Sequence, residues 1–156
     1  MSAAKNFVST LDEKQRQKVL LAFDDDQQRK RWSNLPTGAV PRGGIGLKDM
    51  TPAHRSAAMA LVASALSPRG FEKVQQIMEG DEVNKSSERN RPPFDRGGSG
   101  GQMFGKDLYY ISILGTPSEK NPWMLQFGGI EGGLGAGQSR GKNAAFSGDR
   151  DIERQV

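Results

Sequence analysis

Two short apolar runs in the second half of the chain limit what it can fold into. Leu108-Tyr109-Tyr110-Ile111-Ser112-Ile113-Leu114 is β-branched and aromatic and stops at Gly115. Trp123-Met124-Leu125-Gln126-Phe127 follows after a Gly- and Pro-bounded turn. Runs of this kind, separated by such a turn, read as paired antiparallel strands. Two strands alone do not make a stable sheet, which needs a third strand or a helix packed on one face. The rest of the chain must therefore supply a covering layer, and the sheet is expected to continue. Past Gly129, however, the text turns Gly-rich and polar, and no convincing strand can be read there. Residues 130–156 read as a disordered tail.

The covering layer is legible upstream. Thr10 and Glu13 stand at capping-box spacing, and Leu11, Val19, Leu20 and Phe23 recur at roughly helical spacing, which predicts a helix over Leu11–Ala22. Asp24-Asp25-Asp26 opposes the helix macrodipole and should end it. Gln27–Trp32 reads as a further helical turn. Thr51-Pro52 is an N-cap followed by Pro at the first helical position, a strong start signal. Ala58, Met59, Val62, Ala65 and Leu66 then form an apolar stripe. Ser67-Pro68 repeats the start, and Phe71, Val74, Ile77 and Met78 give a second stripe that fades at Glu79-Gly80. Together these predict a helical hairpin over Thr51–Leu66 and Pro68–Glu79. Residues 82–105 hold Pro92-Pro93 and Gly97-Gly98-Ser99-Gly100-Gly101 and read as a long flexible loop.

Composition excludes several kinds of chemistry. With no Cys, no disulfide framework or thiolate metal site can form, and a single His, His54, excludes a multi-His metal site within the chain. No cofactor site is expected in these residues. No segment approaches the roughly 20 apolar residues of a membrane helix, and the first residues lack a basic-then-apolar signal pattern, so a cytoplasmic chain with no membrane partner is expected. The net charge of +4, from 22 basic and 18 acidic residues, is spread along the chain and forms no polybasic arm.

Four features invite a functional reading. The glycines from Gly132 to Lys142 resemble a phosphate loop, but Ala136 occupies the first Gly position and Asn143 stands where a hydroxyl is required. The dinucleotide pattern fails at Gln138, so a tail is the better reading. Asp24-Asp25-Asp26 lacks the alternation and distal Glu of a Ca²⁺ loop and reads as solvated acids paired with Arg29 and Arg31. Arg42-Gly43-Gly44 and Arg96-Gly97-Gly98 are isolated copies of an RNA-binding pattern without interleaved aromatics, so nucleic acid is not the expected partner. Arg42 has a second reading: a guanidinium on a Gly-rich loop between helices suits a carboxylate or phosphate. The candidate ligand-binding residues are therefore Arg42 for a small anionic ligand, with Tyr110 and Trp123 as nearby apolar walls. The competing assignment for these aromatics is core packing of the hairpin.

Several of these pieces occur in a characteristic order. They are Arg31-Trp32 before Pro36, Arg42 with Gly44-Ile45-Gly46-Leu47, Leu66-Ser67-Pro68-Arg69-Gly70-Phe71, Gly115-Thr116-Pro117-Ser118, and Pro122-Trp123 leading to Phe127. From about Phe7 to Gly129 the chain resembles the N-terminal part of a bacterial and fungal family known only as a domain of unknown function. Members of that family are about twice as long. In them the strand matching Trp123–Phe127 is followed by a Gly and two adjacent His, which implies a divalent metal or acid/base site in intact members. Here Gly128-Gly129 is followed by Ile130-Glu131. The resemblance thus implies a truncated member without that activity, whose catalytic residues are unknown. A hypothesis is a reading-frame shift near Gly129, motivated by the abrupt change of composition. It fails if the coding DNA holds no alternative frame for the His pair.

The expected fold class is α+β, with an N-terminal helix, a helical hairpin and an antiparallel β-hairpin of an incomplete sheet. One domain is expected over 7–129. The alternative functional class is a small basic interaction module with weak nucleic-acid binding.

Overall fold

The computed structural model describes residues 2–31, 40–89, 104–129, 133–138 and 144–147. The fold is α+β. Five helices, α1 (Ser2–Thr10), α2 (Glu13–Val19), α3 (Asp26–Arg29), α4 (Pro52–Ala65) and α5 (Pro68–Arg89), accompany a mixed sheet. Its strands are β1 (Leu20–Leu21), β2 (Ile45–Gly46), β3 (Tyr110–Leu114), β4 (Trp123–Gly128), β5 (Gly133–Gln138) and β6 (Ala144–Ser147).

The expected hairpin is present: β3 and β4 pair antiparallel, with Tyr110 opposite Gly128 and Leu114 opposite Met124. β3 is central. On the edge away from β4 it carries two short strands, β1 in parallel at Ile113–Leu114 and β2 antiparallel at Tyr110–Ile111. On the other side the order runs β4-β5-β6. The two Gly- and Ala-rich strands β5 and β6 correct the expectation of a strandless tail. Continuous backbone pairing from Trp123↔Gln138 to Gly128↔Gly133 supplies what side-chain pattern lacks. The remaining residues of 130–156 lie outside the described residues.

Strand alternation gives the sheet two unlike faces. Ile111, Ile113, Leu125, Phe127 and Trp123 point to one side and join Phe7, Leu11, Val19, Ala58, Leu61, Val62, Val74 and Met78 in a single buried core. This is the layer that the hairpin requires, with α1 packed on α4 and α4 on α5. Tyr110, Ser112, Leu114, Met124 and Gln126 occupy the other face, where α3 and the loop before β2 lie against the sheet.

Two helix boundaries differ from expectation. The helix expected over Leu11–Ala22 begins at Glu13 and ends at Val19, where the chain turns extended to pair with β3. Asp12 caps it, in a capping box with Gln15. The Thr10 hydroxyl donates instead to the Phe7 carbonyl at 2.7 Å, at the end of the separate helix α1. The second correction is in α5. It passes through Gly80 to Arg89, so residues 82–89 are helical and not loop. Residues 90–103 of the expected loop lie outside the described residues. Thr51 caps α4 as expected, accepting from the His54 amide at 3.2 Å, with Pro52 at the first position.

Candidate functional site

The outer sheet face gathers polar groups that α+β sheets normally leave to water. Asp25 caps α3 by accepting from the Gln28 amide at 2.9 Å, which fixes Gln28 over the sheet. Gln28 is 7% exposed. Its Nε2 donates to Gln126 Oε1 at 2.9 Å, and the Ser112 hydroxyl donates to the same oxygen at 3.2 Å. Gln126 Nε2 donates in return to the Gln28 carbonyl at 3.1 Å. Buried polar groups in such a chain are costly unless satisfied, and here each one helps to hold α3 down.

The loop carrying Arg42 packs on this network through glycine. Gly44 has φ 92°, and a Cβ there would overlap the Ile111 carbonyl oxygen and press on Ser112. A Cβ at Gly43 would overlap the Gln28 side-chain oxygen. Close backbone approach therefore accounts for both glycines. Arg42 emerges from this seat half-buried, its Nη1 donating to the Val40 carbonyl at 2.9 Å. Burial pushes its pKa below the ordinary guanidinium value, and Tyr110 nearby works in the opposite direction. The structure thus places the loop of Arg42 on the same sheet face as Tyr110.

It does not bring Trp123 to them. Tyr110 pairs with Gly128, at the far end of β4 from Trp123, and odd-numbered β4 residues point to the core face. Trp123 is 7% exposed within the helix-covered core, and its indole Nε1 has no hydrogen-bond partner. Tyr109 and Phe127 are likewise core residues, with ring centroids 5.4 Å apart.

The acids of Asp24-Asp25-Asp26 depart from the expected pairing. Asp26 faces Lys30 at 3.6 Å, while Arg29 donates to the Phe23 carbonyl at 3.1 Å and lies over the Phe23 ring at 4.8 Å. Among the described residues, no group of three or more His, Cys, Asp or Glu could hold a metal ion. His54 sits in the first turn of α4 with its Nδ1 buried and without a hydrogen-bond partner. Of the Gly132–Lys142 stretch, Gly133–Gln138 forms β5; Gly132, residues 139–142 and Arg96-Gly97-Gly98 lie outside the described residues. No helix among the described residues is long and apolar enough to cross a membrane.

A second polar cluster was not legible in the sequence. The Tyr109 hydroxyl donates at 2.7 Å to Asp81 Oδ2, on a carboxyl only 3% exposed in the middle of α5. Around it, charges tie α4 and α5 to the turn before β3. Arg55 meets Asp107 at 2.7 Å and also donates to the Leu47 carbonyl at 2.6 Å. Lys85 meets Glu82 at 2.9 Å, and Glu82 accepts from the Lys106 amide at 3.2 Å. These bonds explain why α5 continues past Gly80. The Lys85 hydrogen bond, helped by Lys106, holds the Glu82 carboxyl below its ordinary range against an opposing effect of burial. The stabilisation from a depressed carboxyl is present above its ordinary pKa and is lost as pH falls through the lowered value. Glu82→Gln is therefore expected to flatten the acid limb of a stability profile. Thermal melts of both proteins from neutral to acid pH check this, and parallel acid limbs would refute it.

The sequence model of a family described as "Protein of unknown function (DUF3500)" matches residues 1–130. No curated protein matches the chain, and no solved structure does.

Proposed function

For a chain that belongs to the DUF3500 family, we propose binding of a small anionic ligand on the outer sheet face, through Arg42 and Tyr110. The observation that carries this reading is Arg42 itself. Its guanidinium is half-buried on a glycine-seated loop beside a tyrosine, in surroundings that disfavour its charge. An anion offsets that cost, and a planar guanidinium offers a carboxylate or phosphate two parallel hydrogen bonds. The Gln28–Gln126–Ser112 network supports the reading by giving the loop a fixed base. This is a binding function. Metal-dependent chemistry, which the resemblance implies for members with a His pair after the strand matching β4, would need ligands beyond the described residues.

Acetate and inorganic phosphate serve as probes, titrated while the tyrosine ring resonances are followed by NMR. Arg42→Ala is expected to weaken binding about tenfold or more, since a hydrogen bond to a charged group contributes about 1.5–3 kcal/mol. Unchanged affinity in that variant removes Arg42 from the site. Tight, steeply salt-dependent binding of single-stranded nucleic acid would favour the interaction-module alternative instead.

A further inference from the structure

We propose that the half of α5 beyond Gly80 is a strap that opens and closes on its own while the rest of the fold stays in place. Different forces hold the two halves of this helix. Before Gly80, Val74 and Met78 are buried in the core and Phe71 packs against it. Among residues 81–86 the buried side chain is that of Asp81. The large apolar side chain in this stretch, Val83, is 62% exposed. Apolar burial therefore fixes the first half and contributes little to the second.

Polar contacts fasten the second half to the segment that leads into β3. The Tyr109 hydroxyl donates to Asp81 Oδ2 at 2.7 Å, and the Lys106 amide donates to Glu82 Oε2 at 3.2 Å. Lys85 meets Glu82 at 2.9 Å and reaches Asp107 at 3.9 Å. Beside the division, Lys106 meets Glu79 at 3.5 Å. The ion pairs are partly open to water, and pairs of that kind hold weakly. Opening also returns water to the Asp81 carboxyl, which the closed strap keeps from it. The open and closed forms are thus closer in free energy than the folded and unfolded chain.

Gly80 marks the point of division. Nothing lies within 4 Å of the place where its Cβ would stand, so internal packing does not call for a glycine there. Glycine is also the poorest helix former after proline. The residues beyond it, 81–89, are too few to remain helical once released from their partners. Opening therefore melts the strap and does not swing it as a rod. It uncovers the Asp81 carboxyl and the Tyr109 hydroxyl, while the Tyr109 ring keeps its stack on Phe127.

Native-state hydrogen exchange of the full chain, read by NMR, tests this. Amides of residues 83–86 report the strap, and those of 74–78 report the anchored half. After correction for intrinsic rates, the strap amides are expected to exchange about tenfold or more faster. Low urea is expected to accelerate residues 74–78 and to leave the strap nearly unchanged, because local opening exposes little surface. Val74→Ala is expected to accelerate 74–78 alone, since the closed and open strap both keep that packing. Glu82→Gln is expected to raise strap exchange about fivefold by loosening the clasp. Equal protection along α5, or Val74→Ala accelerating both segments by one factor, overturns the strap. So does Glu82→Gln without effect on 83–86, or strap amides exchanging as fast as an unstructured peptide. If Val74→Ala does not fold, the urea dependence of the parent chain decides.

Discussion

Gly44→Ala should destabilise the chain by about 3 kcal/mol or more and lower its melting temperature by about 10 °C. Two effects add at this position. The backbone has φ 92°, a conformation that costs a residue with a Cβ of the order of 1–3 kcal/mol. The new methyl would also overlap the Ile111 carbonyl oxygen, which belongs to the central strand and cannot swing aside. Relief requires the Arg42 loop to lift from the sheet, so anion binding should fall together with stability. Gly80→Ala is the matched control. It lies inside α5, nothing stands within 4 Å of the added carbon, and Ala is the better helix former. That substitution should stabilise by up to about 1 kcal/mol. Calorimetry of the two variants gives opposite signs if the glycines have these roles. A Gly44→Ala melt within error of the parent would mean that the loop does not sit as described.

Tyr109→Phe should cost about 2 kcal/mol. It deletes one oxygen and keeps the ring that stacks on Phe127, so the loss isolates the hydrogen bond to Asp81. Leaving a buried acceptor unsatisfied costs roughly 1–3 kcal/mol, and a carboxyl 3% exposed has little water to replace a lost donor. Urea unfolding measures the change, with an unaltered slope showing that the folded and unfolded states keep their compactness. A loss below about 0.5 kcal/mol would show that the bond contributes little to holding α5 on the sheet. Gly129 packs against the same ring, with a would-be Cβ 2.9 Å from Tyr109 Cε2, so the exit from β4 is fixed by the pair as well.

How much could be read from residues alone varied with the physics of each element. β3 and β4 were legible because burial on the core face writes a period of two into Trp123, Leu125 and Phe127. α4 was legible because Thr51-Pro52 is a local signal that needs no partner. The start of α2 was not, since Thr10 with Glu13 and Asp12 with Gln15 both satisfy the capping spacing, and the Phe7 carbonyl takes the Thr10 hydroxyl. The extension of α5 was hidden by Gly80 and a polar sequence whose helicity depends on Lys106 and Tyr109, far along the chain. Strands of two residues, such as β1 and β2, have no pattern to read and exist through their partner. At the site, Arg42 and Tyr110 were singled out, and the loop of the first lies on the same sheet face as the second. Trp123 was grouped with them on chemistry, although the hairpin's own parity sends it to the opposite face. Gln28 was missed because its role comes from tertiary approach, for which the glycine at 43 was the available hint.

The placement of β3 between β4 and the pair β1 and β2 has a consequence for synthesis. Leu20 finds its strand partner in Ile113, and Ile45 finds its own in Ile111. A ribosome delivers β3 long after both. The helices can form locally as they emerge, but Leu20–Leu21 and Ile45–Gly46 must wait with their backbone amides and carbonyls in water. Loops of that length are slow to close, and pairing across them comes late. The chain should therefore acquire its Arg42 loop only after Tyr110–Leu114 has left the exit tunnel, so this face of the sheet is among the last parts to mature on the ribosome.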